Sequence, residues 1–252
     1  MKRHTLQSYL CKYLRSNEIK DYCPNGLQVE GKAEIQTIVT GVTACQALID
    51  AAIQKKADAI IVHHGYFWKG EPYPITGMRY RRIASLIKQD LNLFAYHLPL
   101  DIHPEIGNNV MLAKKLKLNI IGEFDTATTP SYGIMCEPYR ALNLEALSTN
   151  IHEALKRQAL VIPANIETPI RKIAICTGGA QDFIEAAFHA GADVYISGEA
   201  SERTTHMARE LPIHYIAAGH HATERYGIEA LGEHLARQFD LQHYFVDIDN
   251  PV

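Results

Sequence analysis

A chain of 252 residues exceeds a typical single domain, so we expect one large or two modest domains with room for a sizeable core. Its net charge of −3, from 25 basic and 28 acidic residues, gives no bulk reason to expect a nucleic acid or an anionic membrane as partner. Charged residues interrupt the apolar ones over residues 1–20, and no apolar run reaches transmembrane length. We therefore expect neither a signal peptide nor a membrane span.

The cysteines and histidines give the first chemical information. The five cysteines lack C-x-x-C spacing and are odd in number, which argues against a disulfide framework or a thiolate zinc site. A reduced, cytoplasmic protein fits this pattern best. The thirteen histidines are the one compositional excess.

The chain begins with the elements of an α/β fold. Apolar residues at helical spacing predict an opening helix over residues 4–16, and Pro24-Asn25-Gly26 predicts a turn before a short extended segment. A strand over 37–42 then leads into a helix over about 45–55. Further along we predict helices over 79–89 and 108–116, and strands over 93–96, 118–121 and 214–218.

Two predicted strands end in histidine. The consecutive β-branched residues 60–62 are typical of a strand buried on both faces, and His63 and His64 follow directly. The next strand ends at His97, with Asp101 four residues further on. Binding sites collect at the carboxyl ends of strands in open α/β sheets, and imidazole is a common metal ligand.

The second half of the chain repeats the pattern of the first. A shift of 135 positions places residues 46–52 on 181–187 with Gln, acidic and Ala residues matched, and His64 then coincides with Glu199. Two unrelated βαβ units share a general pattern, but matched polar positions in one ungapped window favour an internal duplication.

We therefore predict an α/β fold of two similar lobes, residues 1–125 and 126–252, joined through a connector at 126–131. Equivalent strand ends can then converge on a cleft between the lobes, where ligand sites are common. The candidates for this cleft are His63, His64, His97 and Asp101 from the first lobe and His220, His221 and Glu224 from the second.

Several candidates also have a purely structural interpretation. His97 can be a core histidine bonded to a backbone carbonyl, and His221 can simply be exposed. Asp101 can cap a turn or a helix, and Glu224 can be an acidic residue favoured in a first helical turn. Taken together, imidazoles and carboxylates without thiolates suit a hydrolytic pair of transition-metal ions better than a structural zinc.

Other catalytic templates fit less well. Neither a phosphate-binding G-x-x-x-x-G-K-[ST] loop nor a G-x-S-x-G nucleophile turn is present. The segment 176–180 after a predicted strand is a weak candidate for an anion-binding turn. Arg203 and Arg225 are candidates for holding an anionic substrate, although each is better explained as a solvated helix residue.

Six short motifs together resemble the Nif-three-like family of dinuclear-metal proteins, whose members are described as GTP cyclohydrolase type 2 homologues. The resemblance covers essentially the whole chain. The motifs are Pro24-Asn25-Gly26-Leu27-Gln28-Val29, Val62-His63-His64-Gly65, His97-Leu98-Pro99-Leu100-Asp101, Cys176-Thr177-Gly178-Gly179, Ser197-Gly198-Glu199 and Gly219-His220-His221-Ala222-Thr223-Glu224.

The resemblance implies two related α/β lobes around two divalent ions, which are Zn, Fe, Mn or Ni, and a homohexameric ring. It implies Glu224 as the bridging ligand and places His97 beside the metals. The implied metal ligands are His63, His64, Asp101, His220 and Glu224.

Two functions remain open at this point. The first is a metal-dependent hydrolase of a small molecule or nucleotide, in which His97 or Glu199 transfers the proton. The second is a non-catalytic metal-binding or scaffold protein that acts as an oligomeric ring.

Overall fold

The computed structural model describes every residue from Met1 to Val252 and divides into two compact units. The first unit comprises Met1–Leu100 and Gly227–Asp249, and the second comprises Asp101–Tyr226 and Asn250–Val252. This division differs from the predicted boundary between residues 125 and 126. The difference arises because residues 118–124 pair within the sheet of the second unit, and because a segment near the C-terminus adds a strand to the sheet of the first unit.

The helices and strands fall into three groups. The first unit contains α1 (Arg3–Tyr13), β1 (Gly26–Val29), β2 (Thr37–Thr43), α2 (Gln46–Gln54), β3 (Ala59–His64), α3 (Gly77–Lys88), β4 (Asn92–Ala95) and β11 (Gln242–Phe245). The second contains α5 (Asn108–Lys115), β5 (Leu118–Phe124), β6 (Gly133–Pro138), α6 (Leu144–Leu155), β7 (Leu160–Ile162), β8 (Ile173–Ile175), a 3₁₀ turn (Gln181–Phe183), α7 (Ile184–His189), β9 (Val194–Ser197), α8 (Glu202–Glu210) and β10 (His214–Ala217). The division falls within α4 (Leu98–Asp101) and α9 (His220–Phe239).

The first unit is built on a five-stranded sheet of order β1-β4-β3-β2-β11. The four strands from β4 to β11 are parallel, and β1 pairs antiparallel at the edge. Residues of β3 are buried on both faces, as predicted from residues 60–62. The parallel strands β3 and β4 thus bring their carboxyl ends, which carry His63, His64 and His97, to one edge of this sheet.

The second unit is built on a six-stranded sheet of order β5-β6-β8-β9-β10-β7. Only β8, β9 and β10 are mutually parallel, and the outer strands pair antiparallel. Residues 126–131, predicted as a connector between lobes, lie in the loop between the paired strands β5 and β6. The observed fold is a mixed α/β fold with two sheets, which confirms the predicted fold class.

Both faces of the parallel part of the second sheet, β8 to β10, are buried. Side chains alternate along each parallel strand, so Ile175, Ile196 and Ile216 join one apolar cluster. Tyr195 and Tyr215 join a second cluster. Such a sheet holds its strand ends rigidly, because each strand is fixed by packing from two sides.

The two units share a strand-helix-strand arrangement at the predicted spacing. In the first unit Ile38 pairs with Ala59, and 135 positions later Ile173 pairs with Val194. Helix α2 at 46–54 corresponds to the 3₁₀ turn and α7 at 181–189. This agreement supports an internal duplication.

None of the helices combines the length and the apolar composition needed to cross a bilayer.

Candidate metal centre

Three imidazoles meet at the carboxyl ends of β3 and β4 in the first unit. His63, His64 and His97 each offer a ring nitrogen, and these nitrogens lie within 4.8 Å of one another. The ring centroids of His63 and His64 are 4.5 Å apart, and those of His63 and His97 are 5.0 Å apart. The sequence-predicted histidines of this unit are therefore clustered.

Hydrogen bonds orient these rings. The Nδ1 of His63 lies 3.0 Å from the carbonyl oxygen of Tyr96, so Nδ1 carries the proton and donates it. Nε2 of the fully buried His63 is then the nitrogen with a lone pair, as a metal ligand requires. His64 contacts the hydroxyl of Thr43 through Nδ1 at 3.3 Å.

His97 is oriented by a buried carboxylate that the sequence patterns did not single out. Its Nδ1 donates to Oδ1 of Asp21 at 3.0 Å, and Oδ2 of Asp21 accepts from the backbone N–H of Leu98 and the side chain of Asn25, each at 2.9 Å. Burial raises the pKa of Asp21, but the hydrogen bonds, led by that of His97, outweigh it and lower the pKa to about 2. Asp21 therefore remains ionised and fixes the His97 ring.

Two buried carboxylates meet in the second unit. Asp101 is 9 % exposed and Glu224 is 2 % exposed, and their carboxylate oxygens lie within 4.8 Å of each other. Asp101 also accepts a hydrogen bond of 2.7 Å from the side-chain amide of Asn108. Like charges so close and so deeply buried repel each other, so this pair favours a bound cation.

His220 connects this pair to a further carboxylate. Its Nε2 lies 3.2 Å from Oε2 of Glu224, and its Nδ1 lies 2.6 Å from Oε1 of Glu199. Burial lowers the pKa of His220, but the hydrogen bonds to Glu224 and Glu199 outweigh it and raise the pKa to about 9. Four of the five predicted residues in this unit, Asp101, Glu199, His220 and Glu224, thus form one contiguous group.

Gly178 leaves the space that Glu224 occupies. Its φ is +70°, a left-handed conformation, and a Cβ atom built on it would lie 2.1 Å from Oε1 of Glu224. The backbone N–H of Gly178 donates to the hydroxyl of Thr223 at 3.1 Å. The segment 176–180, which we considered as an anion-binding turn, therefore packs against the carboxylate of Glu224.

Cys176 lies near the same carboxylates but is held as a thiol. Burial, together with the charges of Asp101 and Glu224, raises the pKa of Cys176. Its Sγ lies 3.2 Å from the carbonyl oxygen of Tyr132. The group is thus one of imidazoles and carboxylates, and this donor set suits divalent transition metals.

The other residues considered from the sequence have structural contacts. Arg203 pairs with Asp182 on the surface, and Arg225 donates to the carbonyl oxygen of Leu155 at 2.8 Å. The backbone N–H of His221 donates to the carbonyl oxygen of Val252 at 3.0 Å. These contacts account for the two arginines without a substrate.

The family model Duf34/NIF3 (NGG1p interacting factor 3) matches residues 1–251 of the chain. The chain belongs to the Duf34/NIF3 family. This membership confirms the resemblance that the six sequence motifs indicated.

A curated relative from Vibrio cholerae, named GTP cyclohydrolase 1 type 2 homolog, is 54 % identical over 250 residues, covering 98 % of each chain. The solved structure of protein ybgI, described as of unknown function, is 47 % identical over the whole of both chains with a TM-score of 0.96. TTHA1606 from Thermus thermophilus is 32 % identical, again over both whole chains, with a TM-score of 0.89.

Local sequence patterns missed two residues that contact the site in this Duf34/NIF3 protein, Asp21 and Asn108. Asp21 lies in a loop 76 positions before His97, and no periodicity connects the two. Its position three residues before the Pro24-Asn25-Gly26 motif was the only available signal.

Proposed function

We propose that this protein binds two divalent metal ions through His63, His64, Asp101, His220 and Glu224, and that it is a metal-dependent hydrolase. The buried pair of carboxylates formed by Asp101 and Glu224 carries the metal part of this proposal, because that pair favours a cation. The hydrolase part is supported by relatives named GTP cyclohydrolase 1 type 2 homolog. Zn, Fe, Mn and Ni all accept this mixture of ligands.

The metals would supply Lewis-acid activation of a water molecule, as two-metal hydrolases require. The protein supplies orientation and proton transfer. His97 is fixed by Asp21 with its Nε2 as the proton acceptor, and Glu199 presents a partly exposed carboxylate beside His220. We assign proton transfer to His97 and Glu199, so Glu199→Gln should lower turnover roughly 10²- to 10⁴-fold.

Elemental analysis of the purified protein tests the metal proposal. We expect about two divalent ions per subunit in the wild type, since five ligands exceed the four of a tetrahedral ion. Glu224→Ala should lose both ions if Glu224 bridges them. Glu233→Ala is a matched control, because Glu233 lies on the same helix with an exposed side chain that pairs with the surface Arg237. Wild-type metal content in Glu224→Ala would remove Glu224 from the site.

A turnover assay separates the hydrolase from a non-catalytic metal protein. Metal-loaded wild type would be incubated with a panel of nucleotides, with Asp101→Ala as the inactive comparison. Turnover that depends on Asp101 supports the hydrolase. Full metal content without turnover of any nucleotide favours the scaffold function.

We further propose a homohexamer and a cytoplasmic location. The hexamer rests on the family resemblance, and closed symmetric assembly is common among proteins. The location rests on the five cysteines, which are all free thiols. Light scattering that gives a monomeric mass at working concentration would remove the hexamer.

A further inference from the structure

The guanidinium of Arg157 is partly buried and has no hydrogen-bond partner in the protein. It follows α6, which ends at Leu155, and the left-handed cap residue Lys156 turns the chain there. The Nη1 atom of Arg157 is buried and has no hydrogen-bond partner, and the guanidinium forms no ion pair. Leaving a buried donor without a partner is unfavourable, so this placement calls for a compensating role.

Gly219 is shaped to receive this guanidinium. A Cβ atom on Gly219 would lie 2.1 Å from Nη1 of Arg157 and 2.7 Å from its Cζ, and the φ of Gly219 is +104°. Both the open space and the backbone conformation therefore depend on glycine. Gly219 directly precedes His220 in the sequence, so the guanidinium packs against the neighbour of a proposed metal ligand.

A cavity of about 600 Å³ opens beside Arg157 in the second unit. Its lining includes Arg157, Gly198, Glu199, Gly219 and Val252. This volume lies within the range of small-molecule sites. Glu199, which contacts His220, thus shares one cavity with an arginine to which it is not ion-paired.

The other arginines considered from the sequence provide a contrast. The guanidinium of Arg203 donates to both carboxylate oxygens of Asp182, and that of Arg225 donates to a backbone carbonyl through Nη2. Arg157 has neither kind of contact. Its planar fork is therefore open to a ligand of matching shape, and the groups that match it are carboxylate and phosphate.

We propose that Arg157 binds the carboxylate or phosphate group of a small-molecule ligand that occupies this cavity and contacts Glu199. The identification of that ligand as the substrate rests on the proposed hydrolase function. Binding of the anion itself does not depend on that function. The cavity then selects acidic substrates, and Arg157 is the residue that selects them.

Calorimetric titration of the purified protein with inorganic pyrophosphate and with succinate tests this proposal. Loss of a charged hydrogen-bonded contact should weaken binding of the preferred probe about 10- to 100-fold in Arg157→Gln. Arg157→Lys keeps the charge but not the planar fork, so its affinity should lie between that of wild type and that of Arg157→Gln. Lys156→Gln removes the same charge one residue away, outside this cavity lining, and should change affinity less than about threefold.

Binding of pyrophosphate alone identifies a phosphate ligand, and binding of succinate alone identifies a carboxylate. Failure of both probes to bind wild type, or equal losses in Arg157→Gln and Lys156→Gln, overturns the proposal. Elemental analysis of the same samples separates failure of the anion site from failure of the proposed metal site. Arg157→Gln keeps every proposed metal ligand and should keep wild-type metal content. A parallel loss of metal and thermal stability in both Arg157 variants would show a structural role and would also overturn the proposal.

Discussion

Oε1 of Glu199 lies 2.6 Å from Nδ1 of His220, and this contact determines which nitrogen of His220 is left for a metal. Because Nδ1 donates to the carboxylate, Nε2, which lies 3.2 Å from Oε2 of Glu224, is the nitrogen that a metal would bind in place of its proton. Glu199 therefore orients a proposed ligand without being one.

The first prediction compares two replacements of Glu199. A glutamine can still accept the Nδ1 proton, so Glu199→Gln should keep metal content near wild type. Glu199→Ala removes the acceptor and should lower metal affinity about 10- to 100-fold, as is typical when the partner of a ligating histidine is lost. Competition with a fluorescent chelator measures both affinities. Equal affinities in the alanine variant and wild type would contradict this role.

The second prediction concerns the space beside Glu224. Gly178→Ala places a methyl group 2.1 Å from Oε1 of Glu224 and 3.2 Å from Nε2 of His220, so the carboxylate must move and metal content should fall. The left-handed φ adds a stability cost of roughly 1–2 kcal/mol.

Gly191→Ala is the matched control for the Gly178 variant. Its φ is +82°, and a Cβ atom there meets no atom within 4 Å, so it carries the backbone cost alone. We expect both variants to lose similar stability in denaturant unfolding but only Gly178→Ala to lose metal. Metal loss in both would attribute the effect to backbone strain.

The third prediction concerns the pH dependence of stability at Asp58. Burial raises its pKa, but hydrogen bonds from Lys32 and from the backbone N–H groups of Gln36 and Thr37 outweigh this and lower the pKa below 3.8. A lowered pKa stabilises the fold above the unfolded value, and this stabilisation is lost as pH falls through the folded value. Asp58→Asn should therefore cost about 1 kcal/mol at pH 7, and the difference should shrink below pH 3.8.

Asp193 provides the control, because it occupies the matching position in the second unit. Its Oδ2 accepts from the backbone N–H groups of Arg171 and Lys172, at 2.7 and 2.8 Å, but no lysine side chain pairs with it. Asparagine can keep both contacts, so Asp193→Asn should cost less than Asp58→Asn. The reverse order in urea unfolding would contradict the role of Lys32.

The fourth prediction concerns acid sensitivity at His214. Its Nδ1 accepts a hydrogen bond of 3.0 Å from the backbone N–H of Ala164, and burial lowers its pKa although Asp193 raises it. The unfolded chain therefore binds a proton at His214 more readily than the folded one, so stability falls as pH drops through 6.5. His214→Gln can still accept the N–H bond without titrating. Its unfolding free energy should vary less between pH 7 and pH 5 than that of wild type.

Local patterns predict the parts of this fold that depend on neighbours in sequence. The burial of residues 60–62, the histidines that follow, and the strand pairing that recurs after 135 positions all follow from periodicity and spacing. The strand predicted over 118–121 corresponds to part of β5, but its pairing with β6 was not predicted, since β5 is exposed along most of its length and has no buried face that alternation would indicate.

The interactions that complete the candidate site are long-range. Asp21 reaches His97, and Arg157 reaches Gly219, across tens of residues in loops without periodic pattern. A lone Asp or Arg in a loop is typical of solvated surface. Only the folded chain shows that these side chains are held beside particular neighbours.

The position of β11 affects how the protein emerges from the ribosome. Strand β2 is buried over residues 38–42, and its outer edge is covered by Gln242–Phe245. A nascent chain thus exposes the hydrogen-bonding edge of an apolar strand until Gln242–Phe245 has been synthesised. Uncovered edges of this kind pair with other chains, so translation arrest before residue 242 should leave an aggregation-prone product.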